Sequence, residues 1–387
     1  MAQDPETHTP SLPALFLAFL RLGATAFGGP AMVAYIGRMA VDRRQWLDRE
    51  AFARGVALCQ IIPGATAMQA AAYVGLRVRG MRGALVSYLG FGLPAFCLML
   101  VLSALYAQTR EFGPVQSVLT GLRVLVVAIL ANATLTIGRM TLRRWELVGL
   151  AALGAVLFGL GGSPLLVIPV AALIGLLLPA AAAREQAAQP GRSNLRPLLL
   201  LIALALAGLA VLFLTRRDLF TLAALFLRID LLAFGGGFAS VPLVYHEVVE
   251  VHAWLPARTL LDGIALGQIT PGPIVITATF IGYLLHGPLG AVVATASVFL
   301  PSFLLVVALT PHFDRITHSA PVRRMLAGVL ASFVGLVLSV TLKFGWAVDW
   351  TWAKALLTAA AFVALLLKVD LLWVVLAGVV VSVLLFR

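Results

Sequence analysis

The chain has 387 residues, of which 61% are hydrophobic and 11% charged, and its mean hydropathy is +1.02. That leaves too little polar surface for a soluble globule of this length. The net charge of +12 comes from 28 basic residues, 25 of them Arg, scattered through short loops and helix ends. Such scatter fits loop-set orientation and attraction to anionic membrane lipid; nucleic acid is not an expected partner.

Residues 1–10 are polar, acidic and without the basic start of a signal peptide, and read as a disordered cytoplasmic tail. A helical pattern runs from Ser11 to Phe27, breaks at Gly28-Gly29-Pro30 and resumes to about Val41. After the charged loop Asp42–Glu50, a second interrupted pair covers Ala51–Ile62 and Thr66–Leu76, with Pro63-Gly64 at its centre. Each arm is short for a full crossing, which favours re-entrant or tilted half-helices. Ordinary spans follow near 83–107, 115–138, 145–160 and 164–179. A polar linker, Ala180–Arg196, leads to an apolar helix, Pro197–Thr215, and then to broken pairs at 219–250 and 257–286. The last spans lie near 289–311, 322–342, 353–367 and 371–386. Cys59 and Cys97 sit in apolar segments without metal-ligand spacing and read as small buried hydrophobes.

The chain repeats itself. FLRLGATAFGGP and ALCQIIPGAT in residues 19–66 return as FLRIDLLAFGGG and ALGQITPGPI in residues 226–273, at an offset of 207 or 208. The echo includes Trp46 with Trp254, Gly80 with Gly287, and Pro94-Ala95-Phe96 with Pro301-Ser302-Phe303. The expected fold class is therefore an all-α polytopic membrane protein. It has a tail (1–10), a first repeat (11–179), a linker with one extra helix (180–218) and a second repeat (219–387).

One extra crossing between copies that each cross an even number of times turns the second copy upside down. Loop charges agree. Loops 42–50, 77–82, 139–144 and 180–196 are arginine-rich, whereas the second-copy match of 42–50 carries Glu247 and Glu250. The match of the charge-poor loop 108–114 carries Arg315, Arg323 and Arg324, while Arg216 and Arg217 run against the bias. The reading is an inverted repeat.

Inverted repeats with interrupted helices point to a secondary transporter whose site lies where the breaks meet. A half-helix that starts inside the bilayer leaves about four N–H groups unpaired at the positive end of its dipole. Gly29-Pro30 and Pro63-Gly64, with Gly236-Gly237 and Pro271-Gly272, would open four such ends around an oxyanion, and Gly28, Gly235 and Pro273 adjoin them in the candidate site. The plain alternative is close helix packing or kinking. Arg21 and Arg228 lie about two turns before their breaks, where a guanidinium needs a partner or water. Gln60 and Gln268 can donate to an oxygen or cap their half-helices. Asp230, where the first copy has Gly23, is expected to bridge Arg228 first and to act as a coupling group second. Arg123 lines the pathway or joins an interhelical polar pair, and His246, Glu247, Glu250 and His252 read as a wet loop.

The paired motifs FLRLG…AFGGP with QIIPGA, and FLRID…AFGGG with QITPGP, resemble the chromate ion transporter family in its long two-domain form, over nearly the whole chain. The resemblance implies chromate efflux across a bacterial inner membrane, resistance to chromate, and sulfate as an analogue or competitor. It assigns the substrate to Arg21, Gly28, Gly29, Pro30, Gln60, Pro63 and Gly64 and to their second-copy equivalents. Gly237 in place of Pro30 and Pro273 in place of Ala65 depart from two-fold symmetry. No cofactor or metal is expected, since the chain has neither a phosphate loop nor ligand spacing. An oxyanion importer remains the alternative, an intramembrane enzyme is a weaker one, and a homodimer is left open.

Overall fold

The computed structural model describes residues 10–27, 30–179, 196–313 and 319–386. Gly28, Gly29, Arg315, nearly all of the expected tail and linker, and therefore the readings made of them, lie outside those residues. Among the described residues every regular element is helical.

The first repeat opens with α1 (Leu12–Thr25), capped by Ser11, whose hydroxyl accepts from the Ala14 N–H at 3.3 Å. Next come α2 (Pro30–Gly37), a π-helical turn (Arg38–Arg43) and α3 (Arg49–Ile61), capped by Asp48. Helix α4 (Thr66–Thr109) bends at Arg79-Gly80, so a short arm leads into a long one. Helices α5 (Gly113–Thr141), α6 (Trp145–Gly159) and α7 (Pro164–Leu177) complete the copy. Helix α8 (Arg196–Thr215) joins it to the second copy, α9 (Arg217–Leu232), α10 (Ser240–Tyr245), a π-helical turn (His246–Val251) and α11 (Ala257–Ile269). Then follow α12 (Thr277–Leu309), bent at His286-Gly287, α13 (Ala320–Trp346), α14 (Trp352–Leu366) and α15 (Leu371–Leu385).

The copies match in detail. Both π-helical turns end alike, with Trp46 N–H on Ala40 O and Trp254 N–H on Val248 O, each at 2.8 Å. Among the described residues five helices are long and apolar enough to cross a bilayer: α4, α5, α8, α12 with its flanking turns, and α13. Helices α6, α7, α14 and α15 form where spans are expected, but with only 14 or 15 residues. At a rise of about 1.5 Å per residue each falls short of a roughly 30 Å core, a difference from the ordinary spans the sequence suggests.

Contacts establish the inversion. The long arm of α4 starts at the Arg79-Gly80 bend, and near its far end Tyr106 stacks on Phe280, 5.0 Å between ring centres. Phe280 lies in the short arm of α12, just before the His286-Gly287 bend, so the two bends lie on opposite membrane faces. The first face carries Arg79, Arg82, Arg143, Arg144 and Arg324, and the second carries Glu247, Glu250 and Asp349. Helix α8 crosses between them, and its largely exposed leucines, Leu200 and Leu214 among them, form a lipid-facing surface. Arg216 remains on the acidic face, paired with Asp218 at 3.0 Å.

The copies also exchange their last hairpins: α6 and α7 pack on α13, while α14 and α15 pack on α5. Small residues allow it. A methyl at Gly335 would strike the Ala151 carbonyl, one at Gly328 the Ala171 carbonyl, and one at Gly378 the Leu125 side chain.

Candidate functional site

The broken helices meet between the copies through a reciprocal pair of backbone bonds. The Gly64 N–H donates to the Ala233 carbonyl (2.9 Å), and the Gly272 N–H to the Ala26 carbonyl (3.1 Å). Each glycine follows the proline of its break, and each ends an α-helix of the other copy: Ala26 closes α1 and Ala233 closes α9. Orphan carbonyls at two helix ends are thus satisfied by donors from the opposite copy. The bends need glycine, with φ +110° at Gly64 and +122° at Gly272. Gly236 and Gly237 complete the junction. A Cβ on Gly236 would lie 3.6 Å from Thr66 Oγ1, and one on Gly237 would lie 2.7 Å from the Ile274 side chain.

These bonds engage part of the backbone at two of the four expected N-termini. The Gly64 and Gly272 N–H groups are occupied, the Ala65 N–H donates to Ser302 Oγ at 3.3 Å, and Pro63, Gly64, Pro271, Gly272 and Pro273 are buried. Gly235 is exposed, and Gly236 and Gly237 are partly so. Pro30 opens α2 as expected, while Gly28 and Gly29 lie outside the described residues.

Asp230 does not bridge Arg228. Residues two apart project from different sides of a helix, so the two part company. Asp230 is 1% exposed and accepts the Ser302 N–H at 2.7 Å and the Ser302 hydroxyl at 2.7 Å and 2.9 Å. With Ala65 bound to the same hydroxyl, the cluster joins α9, α12 and the Pro63-Gly64 break. The first copy has Gly23 and Ala95 at these positions, so the polar pair stands on one side of the pseudo-two-fold only.

Arg228 pairs instead with Glu247 at 2.8 Å, where the guanidinium is half-exposed and the carboxylate buried. This overturns the wet-loop reading of His246 and Glu247: a helix continues from Ser240 through the π-helical turn and buries both. Glu250, whose side chain is 28% exposed, binds Lys343 at 2.6 Å. Arg21 is exposed, without an ion pair among the described residues, and Met39 occupies the position equivalent to Glu247. Gln60 is exposed, whereas Gln268 is buried and its Nε2 has no hydrogen-bond partner among the described residues.

Arg123 lies in an interhelical polar pair. Its Nε and Nη2 donate to Asp262 of α11 at 2.6 Å and 2.8 Å, and Tyr106 Oη donates to the same carboxylate at 2.9 Å. Sequence reasoning missed Asp262, Ser302 and Gln69. Comparing the copies could find the first two, since Asp262 replaces Arg54, and Ser302 replaces Ala95 just as Asp230 replaces Gly23. Gln69, fully buried with Nε2 on the Pro63 carbonyl and Oε1 unpartnered, has no sequence signal.

A sequence profile described as chromate transporter matches residues 13–176 and 220–383. An uncharacterized transporter of Methanocaldococcus jannaschii is 40% identical over 381 residues, covering 97% of this chain and 94% of its own. The chromate transport protein of Pseudomonas aeruginosa is 33% identical over 86% of this chain and 80% of its own. That of Cupriavidus metallidurans is 31% identical over 85% and 81%. No solved structure matches the chain. On the two-repeat match and these full-length similarities, this multi-pass membrane chain belongs to the chromate transporter family.

Proposed function

We propose that the chain is a secondary transporter that carries chromate out of the cytoplasm across a bacterial inner membrane and so confers resistance to it. The observation that carries this reading is the reciprocal crossing of the two Pro-Gly breaks with the ends of α1 and α9. Interrupted helices from inverted repeats, meeting midway along their spans, are the architecture of a site reached in turn from either face. The relatives called chromate transport proteins supply the substrate. The proposed binding residues are the partly exposed Gly235–Gly237 of the junction and Gln60, with Arg21 and Arg228 as the nearby positive charges, and by the sequence repeat alone the assignment extends to Gly28, Gly29 and Pro30. Pro63-Gly64 and Pro271–Pro273 shape this site from behind, the N–H groups of Gly64 and Gly272 being engaged within the protein.

Energetics favour export. Moving one charge through 100 mV is worth about 2.3 kcal/mol, so expelling a dianion from a negative interior gains about 4.6 kcal/mol per 100 mV. Potential alone suffices as a driving force, and exchange with protons would use a buried carboxylate such as Asp230. The test is labelled-chromate flux in proteoliposomes, with membrane potential and pH gradient imposed separately. Flux that follows the potential alone supports electrogenic export and leaves Asp230 a structural group. A strict requirement for the pH gradient makes the chain a proton exchanger. Flux of sulfate without chromate overturns the substrate and retains the architecture.

A further inference from the structure

The repeats are alike in sequence but differ in how their hairpins are seated. Helix α11 is buried from Leu260 to Gln268 and packs on α5, α12, α13 and α15. Its equivalent α3 finds its principal packing on α4 and exposes Ala53, Arg54 and Gln60. The segments before them differ in the same way: Ser240–Val248 is buried throughout, whereas Ala31, Ala34 and Arg38 are exposed. An arginine and a glutamine on the open side of a half-helix do not suit lipid; they call for water. The pseudo-two-fold also says what would cover α3, namely α13, α5 and α7, the counterparts of the helices that cover α11.

The covered hairpin is also fastened. Asp262, fully buried in α11, takes two hydrogen bonds from Arg123 of α5 and one from Tyr106 of α4, both in the other copy. The equivalent of Asp262 is Arg54, and those of Arg123 and Tyr106 are Leu330 and Phe313, so the same fastening is not encoded on the other face.

Resting on the reading of the chain as a carrier reached in turn from either face, we infer that α2–α3 and α10–α11 are its two gates. The α2–α3 gate stands open toward the arginine-rich, cytoplasmic face, and α10–α11 is closed on the opposite face by Asp262, held by Arg123 and Tyr106. These three are positioning residues: they set which face the site opens to and need not touch the substrate. Closing α3 onto α13 and α7 while releasing α11 from α5 generates the opposite state, a change biased by a ligand only through its different affinity for the two.

The test uses the full chain in oriented membrane vesicles, with Cys59→Ala and Cys97→Ala as background and a membrane-impermeant maleimide as probe. Gln60→Cys is expected to react from the arginine-rich face, and Gln268→Cys from neither face. Adding Asp262→Asn should speed labelling of Gln268→Cys from the opposite face about tenfold and slow that of Gln60→Cys, whereas Asp262→Glu should restore the original pattern. If Asp262→Asn does not insert, Tyr106→Phe, which keeps the ion pair, decides the matter by a smaller change in the same direction. Unchanged labelling in every inserted variant, or protection of Gln60→Cys from the arginine-rich face, overturns the proposal. Labelling needs no transported solute, so a mistaken substrate leaves this outcome intact, and a failed gate leaves the flux assay intact.

Discussion

Arg228 and Arg21 occupy matching positions in matching motifs, yet they meet different surroundings. Arg228 neutralises a buried carboxylate, whereas for Arg21 the position equivalent to Glu247 holds a methionine. Arg228→Gln should therefore cost about 1–3 kcal/mol by stranding Glu247, and lower the melting temperature in detergent. Arg228→Gln with Glu247→Gln should recover the melting temperature without recovering oxyanion flux; normal flux in the double variant would remove Arg228 from the site. Arg21→Gln should leave melting unchanged and abolish flux, since no ion pair among the described residues depends on it. Ser302→Ala removes the hydroxyl shared by Asp230 and Ala65 and should cost about 1–3 kcal/mol, read as a lower melting temperature. The Asp230–Ser302 pair itself was hidden from a reading of neighbours in sequence, because its partners lie 72 residues apart. A comparison of the two copies would have flagged it, since two apolar positions become polar together.

At the scale of elements, the interrupted helices were legible: a glycine run or a glycine–proline pair, twice per copy, can hardly do other than break a helix. What the breaks do with their backbone groups was not. The same geometry that frees a helix N-terminus lets it find an orphan carbonyl from another helix, and here two of the four breaks do so. Gly64→Ala tests that seam directly. A Cβ there would run into Ser302 Oγ in a backbone conformation that L residues rarely adopt. The variant should lose folded yield and flux together, with strain of about 1–3 kcal/mol before the clash is counted. Gly80→Ala meets open space at a similarly left-handed φ of 60° and should be milder. Equal damage from both would mean that backbone strain, and not the contact with Ser302, limits the seam. The wet loop expected at 246–252 failed for a related reason. Its charges suggested water, but buried glutamate and histidine are tolerated where Arg228 and Glu250 lie within reach.

At the scale of the whole molecule, the alternation of arginine-rich and acidic loops implies that equivalent positions lie on opposite sides of the membrane. Arg49→Cys and its mate Ala257→Cys, in a background without native cysteines, should therefore label from opposite faces. Labelling from the same face would refute the inversion. The sequence by itself determined that the chain is an all-helical membrane protein, that it is two copies of one unit, and where each copy breaks. Hydropathy, repetition and glycine–proline chemistry are local properties that burial cannot change. Only the tertiary structure decided which groups meet. Asp230 turns to Ser302, Asp262 to Arg123, and the glycines of each copy to the helix ends of the other. Those pairings depend on helix rotation and on the exchange of hairpins between copies, both set by long-range packing. The different seating of α3 and α11 is likewise a property of the assembled pair, because related segments can occupy two environments only once the whole is folded.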